Sequence, residues 1–539
     1  MKVKTFFTAA VLLTFALSQA RAETYYIDSQ EGSDSNSGLS ESSPLEGFEK
    51  VNSKSFASGD KILIKRGSKI NGSLKISANA SAENPLVIAP YGKGQEPVID
   101  AAGYLAGVHI KNSSGVVLKG IEITGDAGKP KEKFNQTQRY AVLVEADKGG
   151  VHKSIRLEEL DIHDIFAAKQ RPSDGKNKTS NRAVGILFSS GGNTNSFLSD
   201  LTVINCRIRK TGFTGISFSC NNKEEKYYNT GIRVLKNRLQ YIGGPGIQPS
   251  RAKDMLVQGN KVYRSGSTAD KRMHSRGSGI WTWSCSDVLI EKNKFTQAGG
   301  KADSCGMHID FNCRNVVIQY NYSAYNAGGF IEILGNNHNC AYRYNVSVND
   351  GFREKGKKGA HQEGKILWTS GYVGRNREKH GPYNSYIYNN TIYTKPGSRS
   401  CFSISPTTQG LLIANNIFCL NGKTVNVLGD QDNQKARSEN PFEPVVFKNN
   451  IYCSPDILPE DLGIKDSNPI YGSPDFQQPG GWQVQNYIPQ NKGLIKDKGI
   501  EIPKLPSDET GLEIGLEPPH DFAGKEIKGR PDIGAFEID

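Results

Sequence analysis

The sequence predicts an all-β chain, a solenoid of parallel strands with about eleven or more turns, an internal asparagine ladder and a cap at each end. Three observations predict it. A short unit recurs along the chain: an apolar strand, a corner residue, one more residue and an apolar residue. From Asn237 onward the corner residue is always Asn. The 58 glycines and frequent Asn-Asn and Asn-Gly steps supply the many turns such a coil needs.

The chain divides into four parts. Met1 to Ala22 reads as a cleavable secretory signal, with Lys2 and Lys4, an apolar core from Phe6 to Leu17, and Gln19-Ala-Arg-Ala22 before Glu23. The expected location is therefore secreted or periplasmic, with no lipid anchor, because no cysteine follows the cleavage point. No later stretch is apolar enough to span a bilayer. Residues 23–110 form an amino-terminal cap and first turns, 111–455 the repeat with groove-lining loops, and 456–539 a closing segment.

The repeat begins at Val116…Ile121, Ile155…Leu160 and Leu201…Cys206. It continues with the corners Asn237, Asn260, Asn293, Asn321, Asn345, Asn390, Asn416 and Asn450. A buried Asn can bond both the backbone and the amide of the next turn, satisfying corner groups that no strand ladder reaches. The shortest spacing is about 23 residues, so longer turns carry insertions. The nine cysteines are an odd number, and Cys285 and Cys313 fall at equivalent repeat positions. Most are expected to be buried apolar residues, with one or two bridges open.

Tyr25-Tyr-Ile-Asp28 through Gly67, and the ending Asp521-Phe-Ala-Gly524…Arg530-Pro-Asp-Ile-Gly-Ala-Phe-Glu537, carry a resemblance. They are similar to the two ends of secreted right-handed parallel β-helix proteins with the pectate-lyase-like fold. The resemblance implies a right-handed coil, and a carboxyl end that closes as a terminal strand and cap. It says little about reaction, since the fold hosts lyases, hydrolases, epimerases and adhesins.

After each corner comes a strand that usually begins with Gly, at Gly185, Gly215, Gly246, Gly279, Gly306, Gly329 and Gly364. Stacked, these make one sheet. The long polar insertions 168–182, 265–278 and 349–363 precede its strands and are expected to wall a groove for a chain-like ligand. Period-two alternation sends Met307, Ile309 and Phe311 to one face and His308 and Asp310 to the other. Ile331 and Ile333 likewise leave Phe330 and Glu332 outward. Ser217, Ser219, Gln248, Ser250, Trp281, Trp283 and Lys365 join that outer face, or Ile280 and Thr282 do so if the register slips by one.

Asp310 and Glu332 are thus expected side by side on adjacent turns, open to solvent. Two readings follow. They hold Ca²⁺ between them, or they act as acid and nucleophile in glycoside hydrolysis. His308 is the candidate general base, with Lys365, Arg272 and His274 as further catalytic candidates. Arg276, Arg353, Lys355 and His361 complete a basic rim, and Trp281, Trp283, Arg353 and His361 are expected to bind substrate. A net charge of +12 and pI near 9.0 suit an acidic polysaccharide or oligosaccharide. Nucleic acid is excluded because no basic run has interleaved aromatics. A monomer is expected.

Glu332-Ile-Leu-Gly-Asn-Asn-His-Asn339 resembles the calcium-binding strand and turn of the chondroitinase B and alginate lyase family. The resemblance implies β-elimination from a uronate, with Glu332 on Ca²⁺. The family's lysine position holds Asn337 here, so the base falls to His308 or Lys365. The resulting expectation is an exported carbon-oxygen lyase acting on uronate glycans. The alternatives are a glycoside hydrolase using Asp310 and Glu332, and a glycan-binding β-helix without catalysis.

Overall fold

The protein is described by a computed structural model over residues 22–169, 182–192, 194–429, 445–506 and 508–539. All but Ala22 of the signal expected at 1–22, and most of the insertion 168–182, lie outside the described residues. Three long sheets of 14, 12 and 14 strands run the length of the molecule, and every strand pair within them is parallel. Each turn contributes one strand to each sheet. The strand Arg314–Gln319, for example, is followed by Tyr322–Ala324 and Gly329–Ile333 before the next turn begins at Ala341–Arg343.

Inside the coil, like residues stack on like. Ile162, Ile208 and Leu239 face one another across three turns, as do Val203, Val234, Val257 and Ile290. All are buried, and each such aliphatic side chain contributes about 1.5–3 kcal/mol through removal from water. The aromatic pair Phe188 and Phe218 stacks with centroids 4.8 Å apart.

The asparagine ladder runs unbroken through all eight expected residues. Nδ2 of Asn237 donates to Oδ1 of Asn260 at 3.0 Å, and the same bond repeats from turn to turn to Asn450. Each Nδ2 also donates to a backbone carbonyl, as Asn345 does to Ile318. The ladder ends on Asp466, whose carboxylate accepts from Asn450. The residue before each rung has positive φ, including Lys236, Tyr320 and Tyr344. That left-handed step turns the chain, and the rung satisfies the groups the turn exposes.

At the amino end, Thr24–Ile27 pairs with Lys61–Lys65, and a short helix, Glu49–Asn52, covers the core with Phe48 and Val51. At the other end Ile457, Leu458, Leu462 and Ile464 close over the last turn. The remainder of the closing segment does more than cap. It turns back along the outside of the coil, where Ile502, Leu505 and Leu512 pack on Tyr320, Tyr344, Tyr386 and Tyr388. Those outward tyrosines make an apolar face that the tail removes from water. Arg343 is fully buried beneath it, donating to Gln319, Tyr388 and the Gly515 carbonyl.

Cys419 and Cys453 form a disulfide between neighbouring turns, and the other seven cysteines are buried and unbridged. Among the described residues no helix is long and apolar enough to cross a membrane.

Candidate active site

The 12-stranded sheet carries the candidate site on its outer face. Register sets the neighbours: Trp281 lies beside His308, Ile309 beside Ile333, and Glu332 beside Trp368. His308, and not Asp310 as expected, therefore lies side by side with Glu332 on the adjacent turn, with Asp310 two residues further along. Ile280 and Thr282 point into the core, as the unslipped register requires. Phe330 and Phe311 depart from the pattern, the first turned into the core and the second half-buried beside the Trp283 and Tyr372 rings. Phe330 is fully buried in the core cluster with its ring against Tyr342, because the register pairs Gly329 with Cys305 and so puts Phe330 opposite Gly306, where a side chain points inward.

An open, solvated acidic pair is not what the fold builds. His308, Asp310 and Glu332 are only 2%, 5% and 1% exposed, and Lys365 only 2%. Two loops close over the sheet edge. Arg353 donates to the Asp303 carbonyl at 2.8 Å, the Asp303 amide donates to Gln362, and the His361 amide donates to the Lys301 carbonyl. The insertion 349–363 is thus tied to the turn 300–303 directly above the strand Met307–Ile309. Gly328 has no room for a side chain there: an added Cβ would stand 1.8 Å from the Asp303 carbonyl oxygen.

Burial sorts the acids. Asp310 is pushed up to about 7, because burial outweighs the hydrogen bonds it accepts from the Phe311 amide and from Trp281 Nε1 at 2.5 Å. Glu332 is also pushed up by burial, with the charges of Asp303 and Asp310 adding to the effect. Asp303 goes the other way. Burial opposes its ionisation, but Arg276 grips it through Nε at 2.5 Å and Nη2 at 3.0 Å and holds it below the usual carboxylate range. Asp303 and Ser304 both adopt positive φ, a conformation that persists only where surrounding contacts fix it. One cluster thus holds a firmly ionised carboxylate and a carboxyl that keeps its proton near neutrality.

His308 is pushed down to about 4 by burial and is neutral at physiological pH. Its Nε2 lies 3.0 Å from Glu332 Oε1, but the approach is not directed along a ring N–H. With the histidine neutral and Glu332 protonated, this is a contact between uncharged partners, not an ion pair. The imidazole stacks flat on Trp281, with centroids 5.3 Å apart and planes 2° apart. Both ring nitrogens are buried and make no directed hydrogen bond, so the histidine expected as general base lies beneath the surface of the site and not open to solvent.

The remaining candidates separate. Lys365 Nζ sits 4.2 Å from the Trp368 ring centroid and donates to the Glu363 carbonyl, with its charge close enough to act on Glu332. Arg272 is elsewhere, paired with Asp126 and Asp270 over the Phe166 ring. His274 packs edge-on against Phe213. His361 is exposed on the loop, and the Lys355 amide donates to Glu363. Of the expected basic residues, Arg272 and Arg276 are taken up in ion pairs and Arg353 in loop ties. Sequence reasoning missed Asp303, because it precedes the strand and period-two alternation does not reach it. Its place seven residues before Asp310 was the available signal.

Calcium does not fit these residues. Both Asp310 oxygens accept hydrogen bonds, and Glu332 takes the Cys305 thiol on one oxygen and faces His308 with the other. Among the described residues no group of three or more His, Cys, Asp or Glu side chains is arranged to hold a metal.

Residues 184–392 match the family model described as right handed beta helix region. The chain is a right-handed parallel β-helix. It is 23% identical to a lacto-N-biosidase from Bifidobacterium longum subsp. longum over 97% of its own length, and spans 37% of that relative. The GH136 lacto-N-biosidase from Eubacterium ramulus superposes with a TM-score of 0.55 at 22% identity, covering 75% of this chain and 67% of that one. The xylose complex of XylC superposes with a TM-score of 0.50 at 10% identity, over 96% and 98% of the two chains. These relatives overturn the expected uronate lyase. A likeness running the length of the β-helix is to glycoside hydrolases, whereas the lyase reading rested on Glu332 and a few following residues.

Proposed function

We propose that this chain is an exported glycoside hydrolase of the lacto-N-biosidase type, which removes lacto-N-biose from the end of an oligosaccharide. Asp310 is the general acid and Asp303 the ionised carboxylate that acts at the anomeric carbon, as nucleophile or as base toward water. The observation that carries the reading is the unlike setting of two buried acids in one cluster. The Arg276 guanidinium takes both oxygens of Asp303, whereas Asp310 accepts only from the uncharged N–H groups of Trp281 and Phe311, so the first is lowered and the second raised. Glycosidic cleavage needs such a pair, one proton donor and one anion. Glu332, protonated and enclosed by Cys305 and His308, supports the floor. The likeness to lacto-N-biosidases supplies the substrate class.

An acidic sugar is not favoured by the site. Arg276 is committed to Asp303 and Arg272 to Asp126 and Asp270, so these two cations of the expected rim are already neutralised. Incubation with oligosaccharides ending in lacto-N-biose should release that disaccharide with new reducing ends and no ultraviolet-absorbing unsaturated product. Asp303→Asn and Asp310→Asn should each lower kcat by about a hundredfold or more. Full activity in either variant would remove that residue from its role.

A further inference from the structure

We propose that Trp283, Phe311 and Tyr372, with Arg251 behind them, form the subsite for the saccharide on the leaving-group side of the cleaved bond. The inference rests on the hydrolase reading for its orientation, and on the ledge itself for its chemistry. Trp283 follows the strand Ile280–Thr282 as Asp310 follows the neighbouring strand Met307–Ile309, and the Asp310 amide donates to the Thr282 carbonyl. Phe311 is the next residue after Asp310. Their rings meet edge to face, with centroids 5.7 Å apart at 65°. Tyr372, from the loop after Lys365–Thr369, meets Phe311 at 5.7 Å and 85°. The Arg251 guanidinium lies 5.4 Å from the Trp283 centroid, braced on the Cys220 carbonyl.

The three rings fold no core. Tyr372 is 37% exposed and is among the few large apolar side chains that face solvent. Trp283 and Phe311 are half-buried. Aromatic faces held at an angle, with a guanidinium alongside, suit a sugar: ring C–H groups pack on the aromatic faces while hydroxyls accept from the cation. The rings are also pinned by their neighbours, so little ordering is left for binding to impose.

Position along the strand gives the side. Asp303 precedes Met307–Ile309, whereas Asp310 and the ledge follow it. A glycan laid along the strand meets the anionic carboxylate first, then the acid, then the rings. The anion acts at the anomeric carbon of the sugar that is retained, and the acid protonates the oxygen that departs. Whatever lies beyond the acid is the leaving saccharide.

The test is a calorimetric titration of the full mature chain with the neutral disaccharides lactose, maltose and cellobiose. Wild type and Tyr372→Phe should bind at least one of them, and Tyr372→Ala and Phe311→Leu should weaken it by about tenfold or more. Binding of none by the wild type, or equal binding by Tyr372→Ala, overturns the ledge. Kinetics with two donors sharing one glycone then test the side. Tyr372→Ala should raise KM about tenfold for an oligosaccharide ending in lacto-N-biose and leave lacto-N-biosyl fluoride within about twofold, since fluoride is too small to reach the rings. Equal losses on both donors overturn the leaving-group assignment. If the wild type hydrolyses neither donor, the hydrolase reading and the assigned side fall together, while the titration still decides whether the ledge binds sugar.

Discussion

Trp281 donates its indole N–H to Oδ2 of Asp310 across 2.5 Å, from one turn to the next. The same indole carries His308 flat on its face, and His308 in turn abuts Glu332. The histidine expected to take a proton thus orients the group that sets the acid. A hydrogen bond to the ionised form favours ionisation, so Trp281 restrains a pKa that burial drives upward.

That relationship fixes the pH profile. Asp310 must carry its proton to act, so kcat/KM should fall as pH rises through about 7. Trp281→Phe removes the donor, and the alkaline limb should move upward by on the order of one unit, with a lower plateau from a less ordered acid. A plain drop in activity with an unshifted limb would make Trp281 a packing residue only.

Glu332 is uncharged in the folded state at neutral pH because burial and two neighbouring acids hold its proton on. Glu332→Gln keeps its shape and neutrality, so activity near pH 7 should stay within about tenfold of wild type, and chelators should change neither protein. Glu332→Ala should cost far more, since it leaves Cys305 and His308 facing a void, at about 2–5 kcal/mol for a large-to-small core change. A hundredfold loss in the Gln variant would restore Glu332 as a reacting group.

Much of the coil was legible from sequence because its signals are local and periodic. Eight asparagines read as corners all became rungs, and alternation placed His308, Asp310 and Glu332 on the outer face. What alternation cannot carry is the third dimension of the loops. It gave the direction of three side chains but not their burial, and it could not show Arg353 and Gln362 reaching across 50 and 59 residues to tie a loop to the turn at Asp303. The same blindness hid Asp303, whose partner Arg276 sits on another insertion. Glu332 misled in the opposite way, since a short likeness around one acid outweighed the character of the whole chain.

The ladder makes a sharp stability prediction. Asn345 accepts from the backbone and side-chain amides of Asn321, and donates to the Ile318 and Arg343 carbonyls and to Asn390. Asn345→Ala strands several buried groups at once, each costing about 1–3 kcal/mol. Local shifts and water recover part of that, so a net loss on the order of 3–5 kcal/mol is expected, read as a lower urea midpoint. A midpoint unchanged within error would show that the rungs are filler.

Asp350 offers a cleaner electrostatic test away from the reacting groups. Its carboxyl is buried, accepts from Ser323 and Ser347 on one oxygen and from both Asn326 amides on the other, and is pushed up to about 7 by burial. The folded-state value lies above the unfolded value of 3.8, so folding favours the protonated form. Its contribution is complete below about pH 4, shrinks as pH rises toward 7, and levels off above that. The span corresponds to on the order of 4 kcal/mol. Asp350→Asn cannot ionise and retains an acceptor for Asn326. Relative to this variant, the wild type should lose stability between pH 5 and pH 8, seen as a widening gap in urea midpoints. Parallel midpoints across that range would mean that Asp350 is already ionised in the fold, and that a cation or water beside it supplies the compensation its hydrogen bonds do not.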